Sequence, residues 1–199
     1  MPNFEFITDA VHRQRIIDDV KNTVNKHPIK VFTMTGLATC GKTTFEKFVD
    51  DNSPAFNVNI EITSAVKFTK QFATKYCGWM GGKSDIERRF LSDLKDTFER
   101  YCDFNRINLA KEIKDAALAG VSAIFIDSRE YGDMKWLKEN FNAQRVFLRK
   151  DSLSGQKHGN HSDDDLESFD YDIYVDNNGS LEDLEKTAID FIKTYISDN

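Results

Sequence analysis

The chain has 199 residues, with 27 Lys plus Arg against 33 Asp plus Glu and a net charge of −6. With 40% hydrophobic and 12% aromatic residues it has the material for one domain with a real core, which excludes collagen-like, disordered and low-complexity classes. The acidic balance argues against a protein that coats nucleic acid nonspecifically, and leaves room for a local basic cleft.

Residues 1–6 lack a basic region followed by a long apolar stretch, so no secretory signal is expected. No apolar run approaches the roughly 18 to 20 residues of a bilayer span, so no membrane association is expected either. Cys40, Cys77 and Cys102 are odd in number and lack metal-ligand spacing, which fits a reducing, cytoplasmic compartment. From residue 5 to 27, Phe6, Ile7, Val11, Ile16, Ile17, Val20 and Val24 recur at helical spacing. The residue before a proline avoids the helical region, so this leading helix should stop near His27, ahead of Pro28.

Residues 29–35 read as a strand, and a helix should run from Thr43 to about Val49. Residues 56–62 alternate like a second strand, and residues 64–76 look helical up to the break at 78–82. Ser84 and Glu87 fit a capping box. The helix it opens is expected to bury Ile86, Phe90, Leu94, Phe98 and Tyr101. A further helix covers 107–118, with Gly120 as its stop. Residues 121–126 form an apolar run suited to a strand covered on both faces, ending in Asp127. A helix over 133–140, a strand over 145–148, a polar loop over 150–165 and a strand over 172–175 follow. Ser180 and Asp183 open a C-terminal helix. This alternation implies an α/β sandwich around a mostly parallel sheet.

Gly36 to Thr43 matches G-x-x-x-x-G-K-T, between a predicted strand and a predicted helix. In such a loop the glycines let backbone N–H groups turn inward around phosphate oxygens, and the helix N-terminus adds its positive end. Lys42 then reaches the β- and γ-phosphates, and the Thr43 hydroxyl can ligate Mg²⁺. The expected architecture is therefore a three-layer P-loop NTPase fold, its central sheet flanked by helices. Asp127, at the tip of the apolar strand, is placed either to hold Mg²⁺ or to cap the next turn. Arg129 can reach a phosphate or pair with a surface acid.

No N-K-x-D guanine-reading motif is present, and the size suits a small-molecule kinase, which needs a cationic cleft and a basic lid. At 100° per residue, Arg88 and Lys95 lie near one edge of the apolar stripe that Ser84 opens, and Arg89 and Asp93 near the other; only one edge can face a cleft. Lys67 is ambiguous on its own helix. Arg149 and Lys150 open the polar loop, which is either a lid or a solvated excursion. His158 and His161 within it fit no common zinc spacing.

Four stretches resemble the bacteriophage deoxynucleoside monophosphate kinases: the P-loop, residues 88–96 (RRFLSDLKD), residues 125–130 (FIDSRE) and residues 171–181 (YDIYVDNNGSL). They span most of the chain from residue 30 onward. The Asn-Asn-Gly-Ser segment is also similar to dephospho-CoA kinases. The resemblance implies transfer of the ATP γ-phosphate, with Mg²⁺, to a (deoxy)nucleoside monophosphate. It places ATP on Gly36, Ala38, Thr39, Cys40, Gly41, Lys42, Thr43 and Thr44, with Asn178 and Gly179 near the adenine, and the metal on Thr43 and Asp127. Arg88 becomes the leading grip on the acceptor phosphate, with Lys67, Arg89 and Asp93 behind it. Lys42, Arg88, Arg129 and Arg149 become the catalytic cations. The implied layout is a kinase domain over 29–199, with an acceptor-binding helical region at about 64–118 and a lid at about 150–165. If the chain is phage-encoded, its compartment is the host cytoplasm.

The family often has Asp where this chain has Thr43, and Pro where it has Tyr131. Residues 1–28 are an addition that the resemblance does not cover; they can pack as an extra helix, form a homodimer or touch another partner. A kinase for another acceptor, such as a nucleoside or dephospho-CoA, and a nucleotide-binding regulatory protein are the competing readings.

Overall fold

The computed structural model describes residues 6–82, 84–155 and 166–197. Helix α1 (Ala10–Lys26) leads to strand β1 (Lys30–Thr35), helix α2 (Lys42–Asn52) and strand β2 (Ile60–Ser64). Helices α3 (Lys67–Cys77), α4 (Asp85–Cys102) and α5 (Phe104–Leu118) follow. Strand β3 (Ala123–Asp127), helix α6 (Tyr131–Phe141), strands β4 (Gln144–Arg149) and β5 (Ile173–Asp176), and helix α7 (Leu181–Phe191) complete the order.

The five strands form one sheet in the order β2-β3-β1-β4-β5, and every pairing is parallel. Parallel strands need covering on both faces, and β1 and β3 supply apolar residues to both. On one face Phe32, Met34, Phe125, Val146 and Leu148 pack with Phe45 and Val49 of α2 and with Leu184, Ala188 and Phe191 of α7. On the other, Val31, Ile124 and Ile126 pack with α1, α5 and α6 through Val20, Ile113 and Leu137. The result is the expected three-layer α/β architecture. Among the described residues no helix is long and apolar enough to cross a membrane.

Helix α1 begins at Ala10 and not at residue 5, because the Asp9 carboxylate accepts from His12 N at 2.6 Å and starts the helix there. Strand β2 begins four residues later than its alternation suggests: Ser53–Phe56 form a 3₁₀ turn with Pro54 at its start, and Asn57 is left-handed. Helices α4 and α5 break at Asp103 (φ 49°), so α5 starts at Phe104. Both capping boxes form, Ser84 with Glu87 and Ser180 with Asp183.

The face that α4 buries differs from the expected stripe. Lys95, Phe98 and Cys102 are buried, whereas Ile86 is 82% and Tyr101 64% exposed. Two acids beyond β3 hold the Lys95 ammonium inside the fold, and that contact turns the helix about its axis.

Candidate active site

The loop between β1 and α2 is closed by shape. A Cβ on Gly36 (φ 147°) would stand 2.5 Å from Leu148 O, and one on Gly41 (φ 102°) 2.4 Å from Asn177 Nδ2. Only glycine combines these positive φ angles with so close an approach. Asn177 Nδ2 donates to Cys40 O at 2.8 Å, and Asn177 N donates to Arg149 O at 2.8 Å, so the tip of β5 braces the loop. The first N–H groups of a helix have no partner inside it. In α2, bonding back starts with Thr44 N and Phe45 N, both to Gly41 O at 3.1 and 2.9 Å, which leaves the positive helix end at the loop. Lys42 Nζ donates to Gly36 O at 3.0 Å and so lies over the loop, where an anion can replace that carbonyl. Burial pushes the Cys40 thiol above its usual range, against the pull of Lys42, so it stays a neutral packing group.

Strand β3 lies between β1 and β2, and the register sets Asp127 opposite both Met34 and Ser64. Sheets of this kind bind ligands beyond the carboxyl ends of their strands. Asp127 Oδ1 is buried without a partner among the described residues. Burial raises the carboxyl above its ordinary range, while Lys42, Arg129 and Lys70 pull it down. Helix α6 opens at Glu130 with no side-chain cap, so Asp127 does not serve as one.

An orphaned carboxylate oxygen in the cleft that Lys42 also lines suits Mg²⁺, a hard cation held by one or two protein groups together with substrate phosphates. The residues that would hold it are Asp127 and Thr43. Among the described residues no group of three His, Cys, Asp or Glu could hold a metal, and Mg²⁺ bound to a nucleotide needs none.

A cleft of about 580 Å³ opens beside this centre. Its wall is built by Ala38 and Lys42, the end of β2 (Ser64), Thr69 and Lys70 of α3, Trp79, Arg88 and Lys95 of α4, and the run from Asp127 to Glu130 with Asp133. Five cations and three acids face it, an excess of positive charge in a chain of net charge −6. Lys95 Nζ bonds Asp133 Oδ2 at 2.7 Å and also bonds Glu130; Arg106 Nε meets Asp133 Oδ1 at 3.2 Å. Lys95 is thus committed to the structure, while Lys70 and Arg88 form no ion pair among the described residues.

Of the residues singled out by sequence, Ala38, Lys42, Arg88, Asp127 and Arg129 converge on this cleft. Gly36, Thr39, Cys40, Gly41, Thr43 and Thr44 form the adjoining loop and first turn of α2. Others lie elsewhere. Lys67 is paired with Glu112. Arg89 and Asp93 are exposed, away from the cleft wall. Arg149, at the carboxyl end of β4, is held by Asp176 at 2.7 Å and is not among the residues that line the cleft. Asn178 Oδ1 accepts from Asp151 N at 2.8 Å, and Gly179 abuts Asp183. His158, His161 and most of the 150–165 segment lie outside the described residues.

Three contributors escaped the sequence reading. Lys70 lies one turn beyond Lys67, and only the tertiary position of Glu112 distinguishes the two. Asn177 lies beside the chosen Asn178, and strand alternation could have placed it. Trp79 sits in the Gly-rich break, which carries no periodic signal.

No family model and no curated protein matches this chain. Among solved structures it is similar to an unliganded sugar kinase from a Janibacter species, at 18% identity and a TM-score of 0.46 over 84% of this chain and 96% of that one. At that distance the likeness speaks to neither substrate nor mechanism.

Proposed function

We propose that the protein is a P-loop kinase that transfers the γ-phosphoryl group of ATP to a (deoxy)nucleoside monophosphate, giving ADP and the diphosphate. The observation that carries this reading is the convergence of Lys42, Lys70, Arg88 and Arg129 from four separate chain segments on one cleft beside Asp127. A cleft of about 580 Å³ also matches the size of a small-ligand site.

In this reading the P-loop amides and Lys42 hold the β- and γ-phosphates, and the acceptor phosphate is gripped by Arg88 and Lys70. An acceptor phosphate oxygen attacks the γ-phosphorus as the bond to the ADP oxygen breaks. Charge spreads over the moving phosphoryl group, and positioned cations stabilise it. Lys42 and Arg129 are the groups placed to do so. Mg²⁺ bound with ATP would be held by Thr43 and Asp127 and would offset the negative charge of the β- and γ-phosphates.

ADP release measured across nucleoside and deoxynucleoside monophosphates tests the reading. Stimulation by one or more is expected; stimulation only by nucleosides or dephospho-CoA, or by nothing, overturns it. Lys42→Ala should reduce kcat at least about 100-fold, the scale for losing one transition-state donor, with an unchanged melting temperature.

A further inference from the structure

The cleft wall is not wholly polar. Val66, Trp79 and Leu91 line it together with the cations Lys42, Lys70, Arg88 and Arg129. Trp79 is the one aromatic side chain on the described wall. Its position is set by backbone: α3 ends at Cys77, and Trp79 N donates to Ala73 O at 3.1 Å. Its indole Nε1 is shut off from solvent and has no partner among the described residues. Buried indole N–H groups ordinarily find a partner, so this one marks a wall that is incomplete as it stands. A cleft that offers both cations and an aromatic surface complements a molecule that carries a phosphate and a flat heteroaromatic ring.

We infer that Trp79 is the specificity-determining residue for the acceptor, its ring stacking on the acceptor's planar base. The inference rests on the nucleotide-acceptor reading above and deepens it. Stacking of a base on an aromatic side chain tolerates different bases, because each has a π-face. Trp79 therefore selects nucleotides over base-free phosphates, and does not choose among bases. The indole adjusts as the base seats, and an oxygen of the nucleotide then accepts from Nε1.

The chain has two tryptophans, so Trp136→Phe leaves Trp79 as the sole indole reporter. In that protein, nucleoside monophosphates should change the emission saturably, and ribose 5-phosphate, which lacks the base, should not at equal concentration. In the active enzyme Trp79→Leu should raise the acceptor KM roughly 5- to 150-fold, the range for losing one stacked base, with kcat and the ATP KM held within about 3-fold. Trp79→Phe, which keeps a flat face, should restore most of the loss. An unchanged acceptor KM in Trp79→Leu, an equal response to ribose 5-phosphate, or a Trp79→Phe variant as impaired as the leucine variant would overturn the inference while leaving the kinase reading intact. If no monophosphate is turned over, the kinase reading fails, and the emission titration still decides on Trp79: a base-dependent response sustains it, and none removes it.

Discussion

Glu46 sits one helical turn beyond Lys42 and is 3% exposed, with its carboxyl Oε1 lacking a partner among the described residues. Burial pushes it up from the ordinary 4.5 to about 8; the charge of Asp127 adds to the rise and Lys42 opposes it. Between those two pH values the unfolded chain has lost the proton that the folded chain keeps. Unfolding then releases a proton, so this group lowers stability as pH rises through the window, by at most about 1.4 kcal/mol per pH unit. Below the window both states are protonated and the contribution is constant. Glu46→Gln removes the titration. Urea unfolding at pH 5 and pH 8 should show the variant gaining on the native protein at the higher pH, by more than 1 kcal/mol on the order-of-magnitude scale of such shifts. A difference independent of pH would mean that the carboxyl is ionised in the fold.

Helix α4 carries Arg88 to the cleft, and Lys95 fixes its rotation. The Lys95 side chain is 3% and that of Asp133 5% exposed. Burial alone would strip the Lys95 charge, but Asp133 and Glu130 outweigh it and raise its pKa. Removing one partner of a buried pair strands the other, at about 3–5 kcal/mol. Lys95→Met should therefore lower the unfolding free energy by about that amount, and Arg89→Met on the exposed side of the same helix by no more than about 0.5 kcal/mol. Similar losses in both variants would deny Lys95 its structural role. The same contact explains what could be read from sequence in this region. The capping box at Ser84, the P-loop and the Asp127 strand tip are local patterns, each set by residues within a few positions of one another. The inward face of α4 is not local. An apolar stripe through Ile86 and Tyr101 is a sound guess from periodicity, but a buried lysine with two acidic partners from beyond β3 outweighs it. Helical geometry places Arg88 and Lys95 on one edge, while the choice of that edge over Arg89 and Asp93 needs the partner elements. Lys67 likewise pairs with Glu112, a partner 45 residues away that no local pattern announces.

At the scale of the molecule, the segment ahead of α1 ties α5 to α3 and α4, the two helices that line the cleft and that form the acceptor wall in the proposed reading. The Phe6 ring stacks on Phe104 of α5 at 4.8 Å and meets Phe98 of α4 at 5.4 Å and Phe72 of α3 at 5.8 Å. Arg13 Nη1 donates to Ile7 O and Thr8 O at 3.0 and 2.7 Å, and its Nε lies 3.1 Å from Asp103 Oδ2, at the turn between α4 and α5. The P-loop hangs instead on β1 and on Asn177. Loosening the N-terminal segment should therefore disturb the acceptor wall and spare the ATP side. Phe6 is 38% exposed, so Phe6→Ala should cost less than the truncation of a fully buried ring, about 1–3 kcal/mol. The acceptor KM should rise roughly 3- to 10-fold, or about 0.7 to 1.4 kcal/mol of binding, with the ATP KM within about twofold of the native value. Steady-state kinetics with each substrate varied in turn separates the outcomes. An equal rise in both KM values would mean that the segment supports the whole fold, and no rise despite lost stability would mean that α4 keeps its place without the segment.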